Sequence, residues 1–207
     1  MVTGAGSGIG RAVAMLLAAN GAKVVVQDLN ADAANAVVDE ITGAGGTAVA
    51  VVGDATATAV IDEAVRAAEA LGPLKIGINN AGIGGDLAPT GDYSDEGWER
   101  VIGINLDAVF RSTRAQVNAM VRNSGGAIVN LASILGSVGQ AGSPAYVATK
   151  HAVIGLTKST ALEYATAGVR VNSVGPGYID TPLLAGLDDE VMQSLVSKHP
   201  IGRLGRA

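Results

Sequence analysis

The chain of 207 residues carries a formal net charge of −5, with 48% hydrophobic and 16% charged residues. This length suits one α/β domain, and the few scattered basic residues argue against nucleic acid or an anionic membrane surface as a partner. Cysteine is absent, which excludes disulfides and thiolate metal sites and is typical of the cytoplasm. No apolar run reaches the roughly 18 to 20 residues of a membrane span, so we expect a soluble protein.

Short β-branched runs alternate with amphipathic segments along the whole chain. Strands are predicted at 22–28, 47–54, 74–80, 126–133 and 168–177. Helices are predicted at about 9–20, 31–43, 57–71, 95–122 and 145–166. Because parallel strands need right-handed crossovers, this alternation predicts a doubly wound parallel sheet with helices on both faces. We expect a single domain, 1–207, with a cofactor half at about 1–82 and a catalytic half at about 83–207.

A glycine-rich turn, TGAGSGIG, lies between a strand-like stub and the first predicted helix. Glycine at Gly4, Gly8 and Gly10 would let the backbone approach a pyrophosphate, whose charge a helix N-terminus favours. No Gly-Lys-Ser/Thr follows, which disfavours a P-loop nucleotide triphosphatase. A tight turn with helix-packing glycines explains this motif equally well when it is considered alone.

Asp28 ends the second predicted strand, where an acidic side chain can accept hydrogen bonds from an adenosine ribose. Its simpler alternative role is to cap the helix that begins near Asn30. Neither Ser7 nor Leu29 is basic, so no side chain is available for a 2′-phosphate. We therefore expect NAD, with NADP as the less favoured cofactor.

Turn-forming polar residues also end the next two strands. Asp54 ends the third strand and NNAG at 79–82 ends the fourth. Either could be an ordinary turn, since Asp, Asn and Gly all favour turns. Because they lie at consecutive strand ends, we interpret them as one edge of a cofactor site.

Tyr146 and Lys150 are four residues apart in YVATK, on one face of a predicted helix. A tyrosine with a pKa of about 10 is almost fully protonated at neutral pH. A neighbouring ammonium and an oxidised nicotinamide would lower that pKa and make the phenol a usable base. The pair alone is common on solvated helices, but Ser133 ends the preceding strand and would face the same crevice.

Asn105 lies in the segment WERVIGINLDAVF. It shares a helical face with Val101, Ala108 and Val109, so we expect it to be buried, where its amide needs a partner. A hydrogen-bonded core asparagine is the alternative to a functional role.

In order and approximate spacing, TGAGSGIG, NNAG, Asn105, Ser133, YVATK and PGYIDT resemble the short-chain dehydrogenase/reductase family over nearly the whole chain. The resemblance implies a Rossmann-like fold, hydride transfer between a nicotinamide and a secondary alcohol or ketone, and a homodimer or homotetramer. It implies that Tyr146 is the catalytic acid/base and that Lys150 lowers its pKa and binds the nicotinamide ribose. Ser133 would bind the substrate oxygen, and Asn105 would help to hold a water.

The same resemblance implies a set of cofactor contacts spread along the chain. These are Gly4, Ser7, Gly8, Ile9, Gly10, Asp28, Leu29, Asp54, Ala55, Asn80, Ala81, Gly82, Tyr146, Lys150, Pro176, Gly177, Ile179 and Thr181. No metal site is expected, because His151 and His199 lack ligand spacing and are predicted to lie on the surface.

The sequence departs from the family pattern at both ends. Only three residues precede the glycine turn, and the chain stops at HPIGRLGRA. Most of the first strand and the family's last helix and strand are therefore expected to be missing. Uncovered edges would make the isolated chain prone to aggregation or poorly active.

Three segments, 82–98, 134–144 and 178–200, are predicted to wall the substrate pocket. Their candidate lining residues are Ile134, Leu135, Gln140, Tyr178, Leu183 and Leu184. This mostly apolar set favours a neutral alcohol or ketone over a phosphorylated sugar. An NADP-linked 3-oxoacyl carrier-protein reductase and a non-catalytic dinucleotide sensor or scaffold are the alternatives.

Three further predictions concern packing. Trp98 and Phe110 are interpreted as packing and core residues. The helical face that carries Val153, Leu156 and Thr160 is expected to contact another subunit.

Overall fold

The computed structural model describes all 207 residues and contains one sheet of six parallel strands, ordered β3-β2-β1-β4-β5-β6. These are β1 (Val2–Thr3), β2 (Lys23–Asp28), β3 (Thr47–Val52), β4 (Ile76–Asn79), β5 (Gly126–Leu131) and β6 (Val169–Val174). A separate pair joins β7 (Ile179–Asp180) to β8 (Gly205–Arg206). The central strand β1 is only two residues long and pairs with both β2 and β4.

Helices cover both faces of the sheet, which confirms the predicted doubly wound α/β fold. They are α1 (Gly8–Ala19), α2 (Ala31–Gly43), α3 (Thr58–Leu71), α4 (Asp95–Ile102), α5 (Ala108–Arg122), α6 (Pro144–Tyr164) and α7 (Asp189–Ser197). Successive side chains of a strand point to opposite faces. Val25 of β2 accordingly packs in a core with α3 and α5, whereas Val24 and Val26 pack in a core with α1 and α2.

The helix predicted at 95–122 is interrupted. A π-helical turn, Gly103–Asp107, separates α4 from α5. A π-turn shifts the helical phase, and such turns are frequent at functional sites. Here it carries Asn105, which is fully buried together with Val101, as the apolar pattern predicted.

A buried polar cluster fixes the carboxyl ends of β4 and β5. Asn79 and Asn130 are register partners, and Asn79 Nδ2 donates to Asn130 Oδ1 at 2.8 Å. Asn79 exchanges two hydrogen bonds with Gln116 of α5, and Asn130 Nδ2 donates to Thr157 of α6 at 3.0 Å. All four side chains are buried, so these bonds offset their desolvation. The cluster holds α5 and α6 in place behind the strand ends.

The packing predictions for Phe110 and for the α6 face are wrong, whereas Trp98 lies near the start of α4, as predicted, and is only partly exposed. Phe110 is 46% exposed and lies under the Arg114 guanidinium, and Trp98 is 40% exposed. Val153 and Thr160 are buried within the chain, because their face of α6 packs against the sheet. An amphipathic pattern predicts which face of a helix is apolar. It does not predict which apolar side chains on that face remain exposed after neighbouring helices have packed.

Candidate active site

The glycine turn connects β1 to α1 by a sharp reversal. Gly4 and Gly8 have φ angles of +60° and +50°, a left-handed conformation that glycine adopts without strain. A side chain at Gly10 would overlap the Gly4 carbonyl oxygen, so glycine allows α1 to begin directly behind the turn. The N-terminus of α1 therefore faces the space beyond the strand ends, where its free N–H groups favour an anion.

Asn80, which follows β4, holds the first half of this turn. Its Nδ2 donates to the carbonyl oxygens of Thr3 and Gly4 at 3.0 and 2.9 Å. Thr3 Oγ1 in return accepts from the backbone N–H groups of Asn80 and Ala81. Two neighbouring strand ends are thus locked together by side-chain contacts to the backbone.

Asp28 holds the other half of the turn. Its two carboxylate oxygens accept from the N–H groups of Gly6 at 2.8 Å and of Asn30 at 2.9 Å. Asn30 itself caps α2, with its Oδ1 accepting from Ala33. The alternative role of Asp28 as the helix cap is therefore wrong, and its carboxylate joins the ends of β1 and β2.

These strand ends border a crevice of about 340 Å³. The predicted cofactor residues that line it are Gly4, Ser7, Gly8, Ile9, Asp28, Leu29, Asp54, Ala55, Asn80, Ala81, Gly82 and Thr181. The sequence interpretation missed Gln27, Gly53, Ile83, Ile104 and Pro182, which also line it. Leu183, which was predicted to line the substrate pocket, also lines this crevice. Gly10, Pro176, Gly177, Ile179, Tyr146 and Lys150 lie outside this crevice.

The crevice suits a dinucleotide. A Cβ at Gly8 would stand 3.3 Å from Thr181, so only a bare backbone leaves this cradle open. Gln27 Nε2 donates to the Gly53 carbonyl at 2.7 Å and supports the wall from behind. The bare glycine backbone and the N-terminus of α1 together suit the phosphates of a dinucleotide.

Asn105 lies beneath the loop that follows β4. Its Oδ1 accepts from the Ile83 N–H and its Nδ2 donates to the Ile83 carbonyl, both at 2.8 Å. The carbonyl oxygen and one N–H of this amide are therefore engaged with the loop. In this structure Asn105 shapes the crevice wall, and a bound water beside it stays a prediction.

Ser133 lies two residues beyond β5 in an extended conformation. Its Oγ accepts from the Leu135 N–H at 3.1 Å, and a hydrogen bond from this hydroxyl group lowers the pKa of Tyr146. The Ile134 N–H donates to the Pro176 carbonyl at 2.8 Å, which ties this loop to the segment after β6. Ser133 therefore lies near Tyr146, and its role in binding the substrate oxygen stays a prediction.

Tyr146 and Lys150 lie on the first turns of α6. The Lys150 Nζ is 5.4 Å from the centre of the Tyr146 ring and donates to the Leu131 carbonyl at 2.8 Å. Burial lowers the pKa of Lys150 from 10.5 to about 8. The ammonium therefore lies above the ring, between α6 and the end of β5.

Lys150 was expected to lower the pKa of Tyr146, but in this structure the pKa of Tyr146 is raised. The pKa of Tyr146 is raised, chiefly because burial disfavours the phenolate; the Ser133 hydrogen bond lowers it, and the nearby phenol group of Tyr178 raises it further. The Ser133 hydrogen bond does not offset the effect of burial on this pKa. The phenol needs an additional positive charge to reach its base form at neutral pH.

Two predicted wall residues form a bridge beside the phenol. The Tyr178 hydroxyl donates to Gln140 Oε1 at 2.6 Å. His199, predicted to be a surface residue, is half-buried and packs edge-on against the Tyr178 ring. Of the other wall candidates, Leu135 is buried and Ile134 is exposed.

None of the helices combines the length and apolar composition that crossing a membrane requires. The structure also brings no three His, Asp or Glu side chains close enough together to hold a metal ion.

Comparison with known proteins identifies similar sequences over the full length. A sequence profile described as short chain dehydrogenase matches residues 1–191. The chain is 50% identical over 207 residues to the cyclohexanol dehydrogenase of Acinetobacter sp. (strain SE19), which covers 100% of the chain and 81% of that relative. It is 45% identical over 210 residues to the cis-4-hydroxycyclohexanecarboxylate dehydrogenase of Sinomonas cyclohexanicum, with coverages of 100% and 83%.

A solved structure shares the fold closely. A variant of actinorhodin polyketide ketoreductase, crystallised with NADPH, superposes with a TM-score of 0.93 at 35% identity. The match covers 99% of this chain and 84% of that one. The likeness therefore extends to the strand ends and helices that border the crevice.

Proposed function

Because this chain belongs to the short-chain dehydrogenase family of NAD(P)-dependent oxidoreductases, we propose that it transfers hydride between NAD and the carbinol carbon of a secondary alcohol, or in reverse to a ketone. The observation that carries the proposal is the meeting of Ser133, Tyr146 and Lys150 at the carboxyl edge of the sheet, next to a crevice that suits a dinucleotide. Ligands of doubly wound sheets bind at this edge.

The side chains of this protein would manage the proton while hydride leaves carbon. Tyr146 takes the proton of the alcohol oxygen in the oxidation direction and returns it in the reduction direction. Ser133 Oγ hydrogen-bonds the same oxygen and stabilises its developing charge. The nicotinamide, when bound, accepts or supplies the hydride and in its oxidised form adds a positive charge that favours the phenolate.

Lys150 would support the proton transfer from its position over the Tyr146 ring. Its Nζ is anchored on the Leu131 carbonyl, which leaves its remaining N–H groups for a ribose hydroxyl. The pKa of about 8 keeps a substantial fraction of the group charged at neutral pH. Asn105 contributes by fixing the loop at Ile83.

We infer that NAD is preferred over NADP. The Asp28 carboxylate lies at the crevice, where it would accept from ribose hydroxyls and repel a 2′-phosphate. Leu29 is 71% exposed and offers no positive charge in its place. The ketoreductase crystallised with NADPH shows that this fold also accepts the phosphorylated cofactor, so the preference depends on these two residues.

The substrate proposed is a neutral, compact secondary alcohol, with an alicyclic ring as the leading case. Two of the similar proteins are named for cyclohexanol and a hydroxycyclohexanecarboxylate. The walls contributed by Ile134, Leu135 and Tyr178 add no positive charge for a phosphate. A carrier-protein reductase would favour NADP and a basic cofactor residue, and a sensor would not need Ser133, Tyr146 and Lys150 together.

The cellular setting is proposed from composition and resemblance. The absence of cysteine favours the cytoplasm, and the family resemblance favours a homodimer or homotetramer. Light scattering of the purified chain tests the second proposal.

The experiment that tests the function follows NADH or NADPH formation with a panel of alcohols. Cyclohexanol, 2-butanol and a sugar phosphate are compared with each cofactor. We expect turnover of cyclohexanol with NAD, slower turnover with NADP, and none of the sugar phosphate. Dinucleotide binding by fluorescence without turnover of any alcohol would favour the sensor instead.

A further inference from the structure

Tyr178 joins three parts of the chain that are far apart in sequence. Its hydroxyl donates to Gln140 in the loop after β5, and its backbone N–H donates to His199 Nε2 at 3.4 Å. The ring centres of Tyr178 and His199 are 5.7 Å apart at an interplanar angle of 74°. Edge-on aromatic contacts of this kind are favourable.

The tautomer of His199 is fixed by its second nitrogen. Nδ1 lies 2.8 Å from the Leu195 carbonyl, an acceptor, so Nδ1 carries the proton. Nε2 of the neutral ring is then an acceptor and can receive the Tyr178 N–H. Gly177 lets the imidazole come close, because a Cβ there would lie 3.2 Å from Nε2. The His199 ring is therefore oriented with Nε2 toward the backbone N–H of Tyr178.

This contact closes the base of a loop that reaches the cofactor crevice. Between Tyr178 and His199 run Thr181, Pro182 and Leu183, which line that crevice, followed by α7. At the same base the Gly205 N–H donates to the Tyr178 carbonyl at 2.9 Å. The position of the Tyr178 ring thus depends on contacts made at the far end of the loop.

Tyr178 also lies close to the catalytic phenol. Its partner Gln140 in turn donates to Ser143 Oγ at 3.5 Å, and Ser143 directly precedes α6, three residues before Tyr146. The single hydroxyl proton of Tyr178 is given to Gln140, so the ring offers a substrate an apolar surface and no donor. The Tyr178–Gln140 bridge limits the size of what can lie beside Tyr146.

We propose that His199 is a positioning residue that holds Tyr178 against Gln140 and so selects compact alicyclic alcohols over larger ones. The proposal rests on the proposed alcohol dehydrogenase function and adds to it the residue that sets substrate size. His199 acts through Tyr178 and is not among the residues that line the cofactor crevice.

The test compares kcat and KM for cyclohexanol and for decahydro-2-naphthol, which has two fused rings. His199→Phe keeps an aromatic ring but loses both nitrogens, whereas His199→Gln keeps an acceptor near the position of Nε2. We expect His199→Phe to lower the kcat/KM ratio of cyclohexanol to the bicyclic alcohol about tenfold, because the bonds that hold the Tyr178 backbone are lost. The change should appear in KM, with kcat within about twofold. His199→Gln should restore most of the ratio.

His151 provides a matched control. It is exposed on α6, and its Nδ1 makes the same kind of contact, 2.9 Å from the carbonyl of Val147 four residues earlier. His151→Phe should leave the selectivity ratio unchanged. If His199→Phe proves unstable in thermal unfolding, Tyr178→Phe removes the bond to Gln140 alone and should shift the ratio in the same direction.

An unchanged ratio in His199→Phe, or equal damage in His199→Phe and His199→Gln, would overturn the role of His199. A wild-type chain that binds dinucleotide but oxidises no alcohol would instead overturn the proposed function itself. The two failures are therefore distinguishable in the same set of assays.

Discussion

The proposed dinucleotide and substrate ends of the site are held by different kinds of contact. At the dinucleotide end, Asn80 and Asp28 bind backbone groups of the glycine turn from the ends of β4 and β2, the two neighbours of β1. At the substrate end, Tyr178 is held by Gln140 and His199, which lie in separate loops. The first set joins neighbouring strand ends; the second joins segments that only the complete fold brings together.

This difference separates the two tasks of the protein. A backbone cradle fixed by regular strands suits a ligand whose phosphates are recognised by N–H groups. A wall made of side chains in loops can change without disturbing the sheet, since loops tolerate variation. We therefore expect substitutions at one end to leave the other end largely intact.

The largest expected effect separates chemistry from binding. Tyr146→Phe removes the proton acceptor while leaving the ring in place, so turnover should fall about a thousandfold. NADH affinity, measured by fluorescence titration, should stay within about twofold. Tyr164→Phe, at the end of the same helix, serves as the control and should retain normal turnover. Equal loss of affinity and turnover in Tyr146→Phe would contradict the separation.

The second prediction concerns the buried ammonium between the two ends. The pKa of Lys150 is about 8 in the folded chain and 10.5 without burial, so the unfolded chain binds the proton more tightly. The free energy of unfolding should therefore rise with pH between about 8 and 10.5, by on the order of 3 kcal/mol from this group. Below pH 8 Lys150 is charged in both the folded and the unfolded chain, so burial of its ammonium lowers the free energy of unfolding by the full amount.

Lys150→Met should remove this part of the pH dependence. Urea unfolding at several pH values between neutrality and pH 10.5 measures it. Lys158→Met, an exposed lysine on the same helix, should keep the wild-type slope. A slope that is the same in both variants would show that Lys150 is not the group responsible.

A third prediction tests the dinucleotide end alone. Gly10→Ala places a methyl group against the Gly4 carbonyl oxygen, so the turn must shift, at a cost of about 1–3 kcal/mol. The melting temperature in thermal unfolding and the affinity for NADH in a fluorescence titration should both fall. Gly43→Ala, at the end of α2 with open space around it, should be neutral or slightly stabilising. Unchanged NADH affinity in Gly10→Ala would argue against the cradle.

The smallest effect concerns cofactor choice. Asp28→Asn removes the negative charge but keeps an oxygen that can accept from Gly6. The ratio of kcat/KM for NAD to that for NADP should fall about tenfold, since repulsion of a 2′-phosphate is lost. Steady-state kinetics with both cofactors measures this ratio. If it does not move, Asp28 acts only in the turn.

Much of the fold followed from local pattern. The five runs predicted as strands and the helices between them lie close to the observed elements, because β-branched runs and amphipathic periodicity reflect burial directly. The π-turn at Gly103–Asp107 was not predicted, since helix lies directly on both sides of it and no proline marks the interruption. The exposure of Phe110 was missed because it depends on how far the neighbouring helix extends.

The candidate site divides in the same way. The glycine turn and Asp28 could be placed at strand ends from the sequence, since turns and strand ends are local features. Ser133 and Tyr146 were expected to lie close together, because Ser133 follows a strand and Tyr146 lies at the start of the next helix. The position of Gln27 at the crevice could not be predicted, because a polar residue within a strand usually indicates only a side chain that faces solvent.

The sequence by itself determined the order of strands and helices, the glycine turn and the spacing of Tyr146 and Lys150, since each depends on residues close together in the chain. Only the tertiary structure decided that Lys150 is bound to the Leu131 carbonyl and that burial raises the pKa of Tyr146. It also decided that His199 supports Tyr178. These features depend on desolvation and on contacts between distant segments, which a local pattern does not encode.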